Sequence, residues 1–191
     1  MRAVALLGAA WMACAASAAE AQTAPPTNRA TGTGNARVLR PLSFMKTRDM
    51  HFGQIIAGTA PGQVVLDPDG SRTVIPAGTP TRPVPGTPPT LIGGTVSPAM
   101  FVGWGTYLRT VTISSGSNTI TLTNGRGGTM TVTNMLMAAN PETPLSTVPR
   151  VFTISSRNGA FSFVVGGTLN VGANQAPGDY VGTFTVTLNY N

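Results

Sequence analysis

From Tyr180 the chain reads "YVGTFTVTLNYN", and this alternation constrains the fold more than any other feature. The even positions Tyr180, Phe184, Val186, Leu188 and Tyr190 are apolar apart from Gly182, while threonines and Asn189 fill most of the odd ones. A period of two puts successive side chains on opposite faces of a strand, so one face is built for a core and the other for water. The same pattern recurs upstream. Ile120 and Leu122 alternate with Thr119, Thr121 and Thr123; Met130 and Val132 with Thr129, Thr131 and Thr133; Phe161, Phe163 and Val165 with Ser162 and Val164.

Composition extends this reading to the whole chain. Among 191 residues there are 28 threonines, 23 glycines and 16 prolines, and only 9% are charged. Such a chain is poor in helix formers and rich in β-branched residues and turn makers, so an all-β fold is expected. Strands are expected at 37–46, 49–56, 63–67, 72–75, 99–104, 107–114, 118–123, 129–136, 150–154, 160–171 and 180–190. Sheets solvated on one face bury the other against a second sheet, which makes an antiparallel β-sandwich the expected architecture. The length suits one domain.

The opening "MRAVALLGAAWMACAASAAEAQ" has Arg2, a short apolar run and the small-residue site Ala19-Glu20-Ala21. It reads as a signal peptide over 1–21, too short in its apolar part to span a bilayer. Lipoprotein processing at Cys14 is the rival, although Trp11-Met12-Ala13 lacks the leucine and small residue such a site prefers. Residues 22–35 carry no large apolar side chain and read as a flexible leader, and the domain is expected over 36–191. Within it, residues 76–90 hold six prolines in fifteen positions and are expected to form an extended surface loop. Export from the cytoplasm is thus expected, to the cell surface or the medium. No transmembrane segment is expected after cleavage.

Chemistry-bearing residues are few. Past Ala21 the chain has no cysteine, one histidine and five carboxylates: Asp49, Asp67, Asp69, Glu142 and Asp179. No metal-ligand spacing, nucleophile elbow or phosphate loop is present, so no catalytic residue, metal or cofactor is expected, and the chain reads as a non-enzyme. His51 alternates with Met50 and Phe52 and reads as a solvated strand residue. The segment "LDPDGSRTV" reads as a hairpin turn; a calcium loop at Asp67 and Asp69 lacks a third acidic ligand and a downstream glutamate. Gly166-Gly167 marks a bulge or a close backbone approach. The net charge of +6 comes from scattered arginines without clusters, which argues against nucleic acid.

The ending resembles the pilin subunits of chaperone–usher fimbriae, which close on an alternating strand with a penultimate aromatic and a glycine fourteen places from the end. Here these are Tyr190 and Gly178. The pair "RPLSFMKTRDMHFGQIIAG" and "LNVGANQAPGDYVGTFTVTLNYN" is also similar to an exported bacterial β-sandwich family catalogued as a domain of unknown function. The pilin resemblance implies an immunoglobulin-like sandwich that lacks one strand and receives it from a neighbouring subunit by β-strand exchange. It implies an assembly strand marked by Gly178, Phe184, Val186, Leu188 and Tyr190, with a periplasmic chaperone and an outer-membrane usher as partners beside other surface subunits or further copies. The donor candidate is "ARVLRPLSFMK", with Val38, Leu42 and Phe44 on one face, interrupted by Arg40 and Pro41. Alternatively 37–46 is the first strand of a self-complete sandwich, a secreted module binding carbohydrate or protein through Trp104, Tyr107 and the proline-rich loop.

Overall fold

A computed structural model describes residues 32–79, 82–138, 146–147 and 150–191. The signal peptide, most of the leader and Glu142 lie outside them. The chain divides into two units, Met1–Arg37 and Val38–Asn191, and the strands all belong to the second.

The described residues form strands and turns and contain no helix. In chain order the strands are β1 (Ser43–Arg48), β2 (His51–Ile56), β3 (Gly62–Leu66), β4 (Arg72–Pro76), β5 (Gly78–Thr79), β6 (Arg82–Pro83), β7 (Thr90–Ser97) and β8 (Ala99–Trp104). They continue as β9 (Thr110–Ser115), β10 (Ile120–Thr123), β11 (Thr129–Ala138), β12 (Ser146–Thr147), β13 (Arg150–Thr153), β14 (Ala160–Val171) and β15 (Val186–Tyr190). All pairings are antiparallel.

The largest sheet runs β1-β8-β14-β11-β10 and curls into a half-barrel, with β3, β4 and β12 joined off this path. Its axis is β14, long enough to change partners along its length. Residues 160–165 pair with β8, residues 167–171 with β3, and 164–170 with β11. The change from β8 to β3 falls at Gly166-Gly167, the doublet expected to mark a bulge or close approach. A Cβ at Gly166 would collide with the Leu66 carbonyl oxygen, and one at Gly167 would come within 2.9 Å of Val132 Cγ1. The backbones meet closely here, and only glycine leaves the space. Seven consecutive residues, 163–169, are buried, so β14 departs from the expected solvated outer face.

A second sheet has the order β13-β9-β15. Its Ile113 joins Phe101, Val132, Phe163, Val165 and Leu169 of the large sheet in one apolar core. The threonine-alternating segments behave as their period dictates: Ile120 is buried while Thr121 and Thr123 are exposed, and Val132 is buried while Thr129 is exposed. In β11 the parity is reset at Asn134, whose φ of 47° sits in a register shift opposite β14, and Met135 and Met137 then both reach the core.

Several boundaries differ from the sequence reading. The first strand begins at Ser43 rather than 37, because Pro41 has no N–H to give to a ladder. The expected strand 107–114 begins only at Thr110, since Thr106 to Arg109 close a turn with Leu108 at φ 59°. Strand β7 was not expected from the sequence. It pairs with β2 through two register shifts, and its Gly93 and Gly94 have φ of 124° and 76°, which destroys any readable period. The proline-rich stretch is extended but not structureless: it holds the β5–β6 pair and gives its last residue to β7. Reciprocal bonds from Thr87 N–H to Thr59 Oγ1 (2.9 Å) and from Thr59 N–H to Thr87 Oγ1 (3.2 Å) pin it to the body.

Candidate functional site

The terminal strand carries out the alternation its sequence announces. In β15, Val186, Leu188 and Tyr190 stand opposite Ser115, Ile113 and Val111, while Thr187 and Asn189 are exposed. Because Ile113 and Val111 are completely buried, the even residues share the core-facing side. Yet none of Phe184, Val186, Leu188 and Tyr190 is fully buried; the first three pack against the core, and each of the four keeps a minor part of its surface in water. Full burial of such a side chain is worth roughly 1.5 to 3 kcal/mol, so each leaves at most about 1 kcal/mol unrealised. The regular strand is shorter than the expected 180–190, because residues 182–185 are unpaired except where Gly116 N–H donates to Thr185 O at 3.2 Å. Val181 forms an isolated bridge with Thr123.

Phe184 meets Phe101 edge-on, centroids 6.2 Å apart, and Phe101 stacks on Phe163 at 4.9 Å. Phe44 of β1 lies 6.1 Å from Phe101 and 6.2 Å from Phe163. One aromatic ring therefore neighbours both the first strand and the approach to the last, which brings β1 and residue Phe184 to the same flank.

Tyr190 fixes that flank. Its hydroxyl accepts from Thr106 N–H at 2.7 Å and donates to Arg40 O at 2.8 Å, joining β15, the β8–β9 loop and the segment ahead of β1. Gly105 makes room for it, since a Cβ there would come within 2.8 Å of the tyrosine oxygen and 3.1 Å of Leu42 Cδ1. Gly178 lies on the corner before β15 with φ of 146°, against Asn124. Of the donor candidates, Phe44 pairs opposite Gly103 in the chain's own β8 and is 37% exposed, Leu42 is half-buried, and Val38 is 94% exposed.

β1 ends the large sheet and β15 ends the small one, so each is paired along one edge among the described residues. The two edges differ. β1 carries Lys46 opposite Phe101, on its core-facing side, and a register shift between Lys46 and Arg48. Lys46 is in an ion pair with Asp49, and that hydrogen bond holds the Asp49 carboxyl below its ordinary pKa. An inward-pointing charge and a bulge are devices that stop an edge from pairing further. β15 has no charge, no proline and no register shift.

The remaining candidates have structural roles. Asp67 and Asp69 serve their turn: Ser71 N–H donates to Asp69 Oδ1 at 2.7 Å, lowering that carboxyl's pKa, and Ser71 Oγ donates to Asp67 Oδ2 at 3.3 Å. His51 is exposed in β2. Among the described residues no three His, Cys, Asp or Glu side chains gather where they could hold a metal ion, and no helix is long and apolar enough to cross a membrane. The larger concavity, about 600 Å³, has no ionisable residue in its lining. Its amides are committed to one another and to the backbone: Gln63 Nε2 donates to Asn170 Oδ1 (2.9 Å) and Gln175 Nε2 to Thr129 O (3.0 Å). Sequence reasoning missed Phe101, Gly105 and Thr106 as parts of the flank, because they meet Tyr190 and Phe184 only through long-range contacts.

No curated protein matches the chain, and no solved structure does. The model of the family described as "Domain of unknown function (DUF4402)" matches residues 42–190, and the chain belongs to that family.

Proposed function

We propose that this chain is an exported, non-enzymatic structural or surface subunit, fimbria-like, which assembles by accepting a β-strand along the free edge of β15. The bare edge of β15, with an incompletely buried apolar face beside it, carries the proposal. An immunoglobulin-like reading draws support from strand order: β1-β8-β14-β11 follows ABED, and the β9-β15 part of the β13-β9-β15 sheet follows CF, where strand G would pair with F. In that reading F is β15, and no described strand takes the G position. Tyr180 adds support: its hydroxyl donates to Ala176 O at 2.7 Å on the β14–β15 connection, the hydrogen bond of a tyrosine corner.

Strand addition gives affinity through backbone bonds and register through alternate side chains. The donor comes from another subunit, and a periplasmic chaperone covers the edge before delivery to an outer-membrane usher. Donation by Val38, Leu42 and Phe44 in trans requires β1 to leave its own β8. The exchange gives up the β1–β8 ladder and the packing of Phe44 against Phe101 and Phe163, while the other β1 side chains are exposed. The test is sizing of the full chain with and without boiling, and titration of the monomer with a synthetic 36–46 peptide. Heat-labile oligomers and peptide capture support the reading; a monomer indifferent to the peptide refutes it.

A second reading is favoured by one observation. β1 already pairs with β8, and Tyr190 already ties to Arg40, as in a self-complete secreted module that binds a ligand through its loops.

A further inference from the structure

One pole of the molecule gathers the end of β8, the start of β9, the end of β13, the start of β14 and the end of β15. The register sets Trp104 opposite both Ser43 and Ala160, and Thr153 opposite Thr110. Two loops close this pole, 105–109 and 154–159, and they are bonded together: Gly105 N–H donates to Gly159 O (2.9 Å), Leu108 N–H to Ile154 O (2.9 Å) and Ile154 N–H to Arg109 O (2.9 Å). The segment before β1 joins them, with Arg40 Nη1 donating to Asn158 O at 2.6 Å.

This rigid pole displays side chains that water does not favour. Trp104 on the outer face of β8 is 40% exposed, Tyr107 36% and Leu108 63%, three large apolar groups within five positions. Leu108 is held in the left-handed region at φ 59°, a strained conformation for a leucine that persists only where its surroundings impose it. Arg40, Arg109 and Arg157 belong to this pole, while the side chains of the described aspartates Asp49, Asp67, Asp69 and Asp179 lie on other turns; further arginines lie elsewhere on the domain. The Nε of Arg109 is buried and has no hydrogen-bond partner among the described residues.

We propose that the pole formed by Trp104, Tyr107, Leu108, Arg40, Arg109 and Arg157 binds an anionic glycan, a polysaccharide bearing carboxylate groups. The flat C–H face of a pyranose ring suits an exposed indole or phenol, which offers a rigid amphipathic surface at low entropic cost. A carboxylate on the sugar suits a guanidinium, whose planar fork takes it bidentately. A site of arginines without a neighbouring Asp or Glu side chain rejects a cationic ligand and leaves a neutral one without its charged bonds. Arg40 joins this site only while the segment ahead of β1 stays on its own subunit, whereas Trp104, Tyr107, Leu108, Arg109 and Arg157 remain at the pole whichever strand β15 receives.

The test uses the full chain carrying W11F, which leaves Trp104 as the sole indole. Oligogalacturonate is titrated against it by fluorescence, beside the methyl-esterified oligomer, polyglutamate and a single-stranded oligonucleotide. Saturable change of Trp104 emission by oligogalacturonate is expected, with at least about tenfold weaker binding of the other three probes. The R109Q/R157Q variant is expected to lose about tenfold in affinity with its unfolding transition kept, and Tyr107→Ala to do the same by calorimetry should the double variant fail to fold. Absence of binding, equal binding of the ester, equal binding of polyglutamate or the oligonucleotide, or undiminished affinity in the folded variants would overturn the assignment.

Discussion

The two edge strands on the flank bridged by Phe101 have opposite sequences. β1 reads SFMKTR, with every residue exposed, a lysine on the core-facing side and a register shift after it. β15 reads VTLNY, in strict alternation and without charge. Among the described residues both are paired along one edge only. The contrast teaches that an unpaired edge is not by itself an assembly site: β1 is defended against pairing and β15 is left able to pair.

The comparison can be broken most forcefully at Leu188. Leu188→Asp puts a carboxylate opposite completely buried Ile113, and a loss of roughly 2 to 4 kcal/mol is expected in denaturant unfolding, with oligomers abolished. Next comes Tyr190→Phe, which strands Thr106 N–H and leaves Arg40 O with only the 3.4 Å bond from Thr106 Oγ1. It should cost about 1 to 2 kcal/mol in thermal unfolding and speed amide exchange at Thr106. Lys46→Val sharpens the contrast from the other side. Removing the guard should change stability by no more than about 0.5 kcal/mol, yet raise concentration-dependent association by light scattering.

The smallest effect is on pH. Asp49 and Asp69 have folded pKa values depressed below 3.8, by hydrogen bonds from Lys46 and from Ser71 N–H respectively. Their stabilisation is present above 3.8 and is lost as pH falls through the lower folded values, so a slight decline in melting temperature is expected only below that point. Asp69→Asn should remove part of it.

What could be read from the sequence follows the same physics. The period of two in 184–190, 120–123 and 129–133 was legible because the inward residues face a core while the threonines stand on the opposite face, in water or, for Thr131 and Thr133, against Asn170. The β2–β7 pair was not, since Gly93 and Gly94 turn the backbone through positive φ and the register slips twice. Tyr190 was legible as a position but not as a contact. Its partners Thr106 and Arg40 stand 84 and 150 residues away, and no local pattern announces them. The donor face of Val38, Leu42 and Phe44 read as one alternating strip, whereas Pro41 ends the ladder and leaves Val38 94% exposed.

Amide hydrogen exchange over residues 184–190 tests the central claim most directly. In the monomer, β15 should exchange faster than β9, its paired neighbour, because one side of its backbone is unpaired. On oligomerisation, or on saturation with a 36–46 peptide, protection should rise in β15 and remain unchanged in β10. Equal protection of β15 and β9 in the monomer, or oligomers that form without slowing β15, would contradict the account.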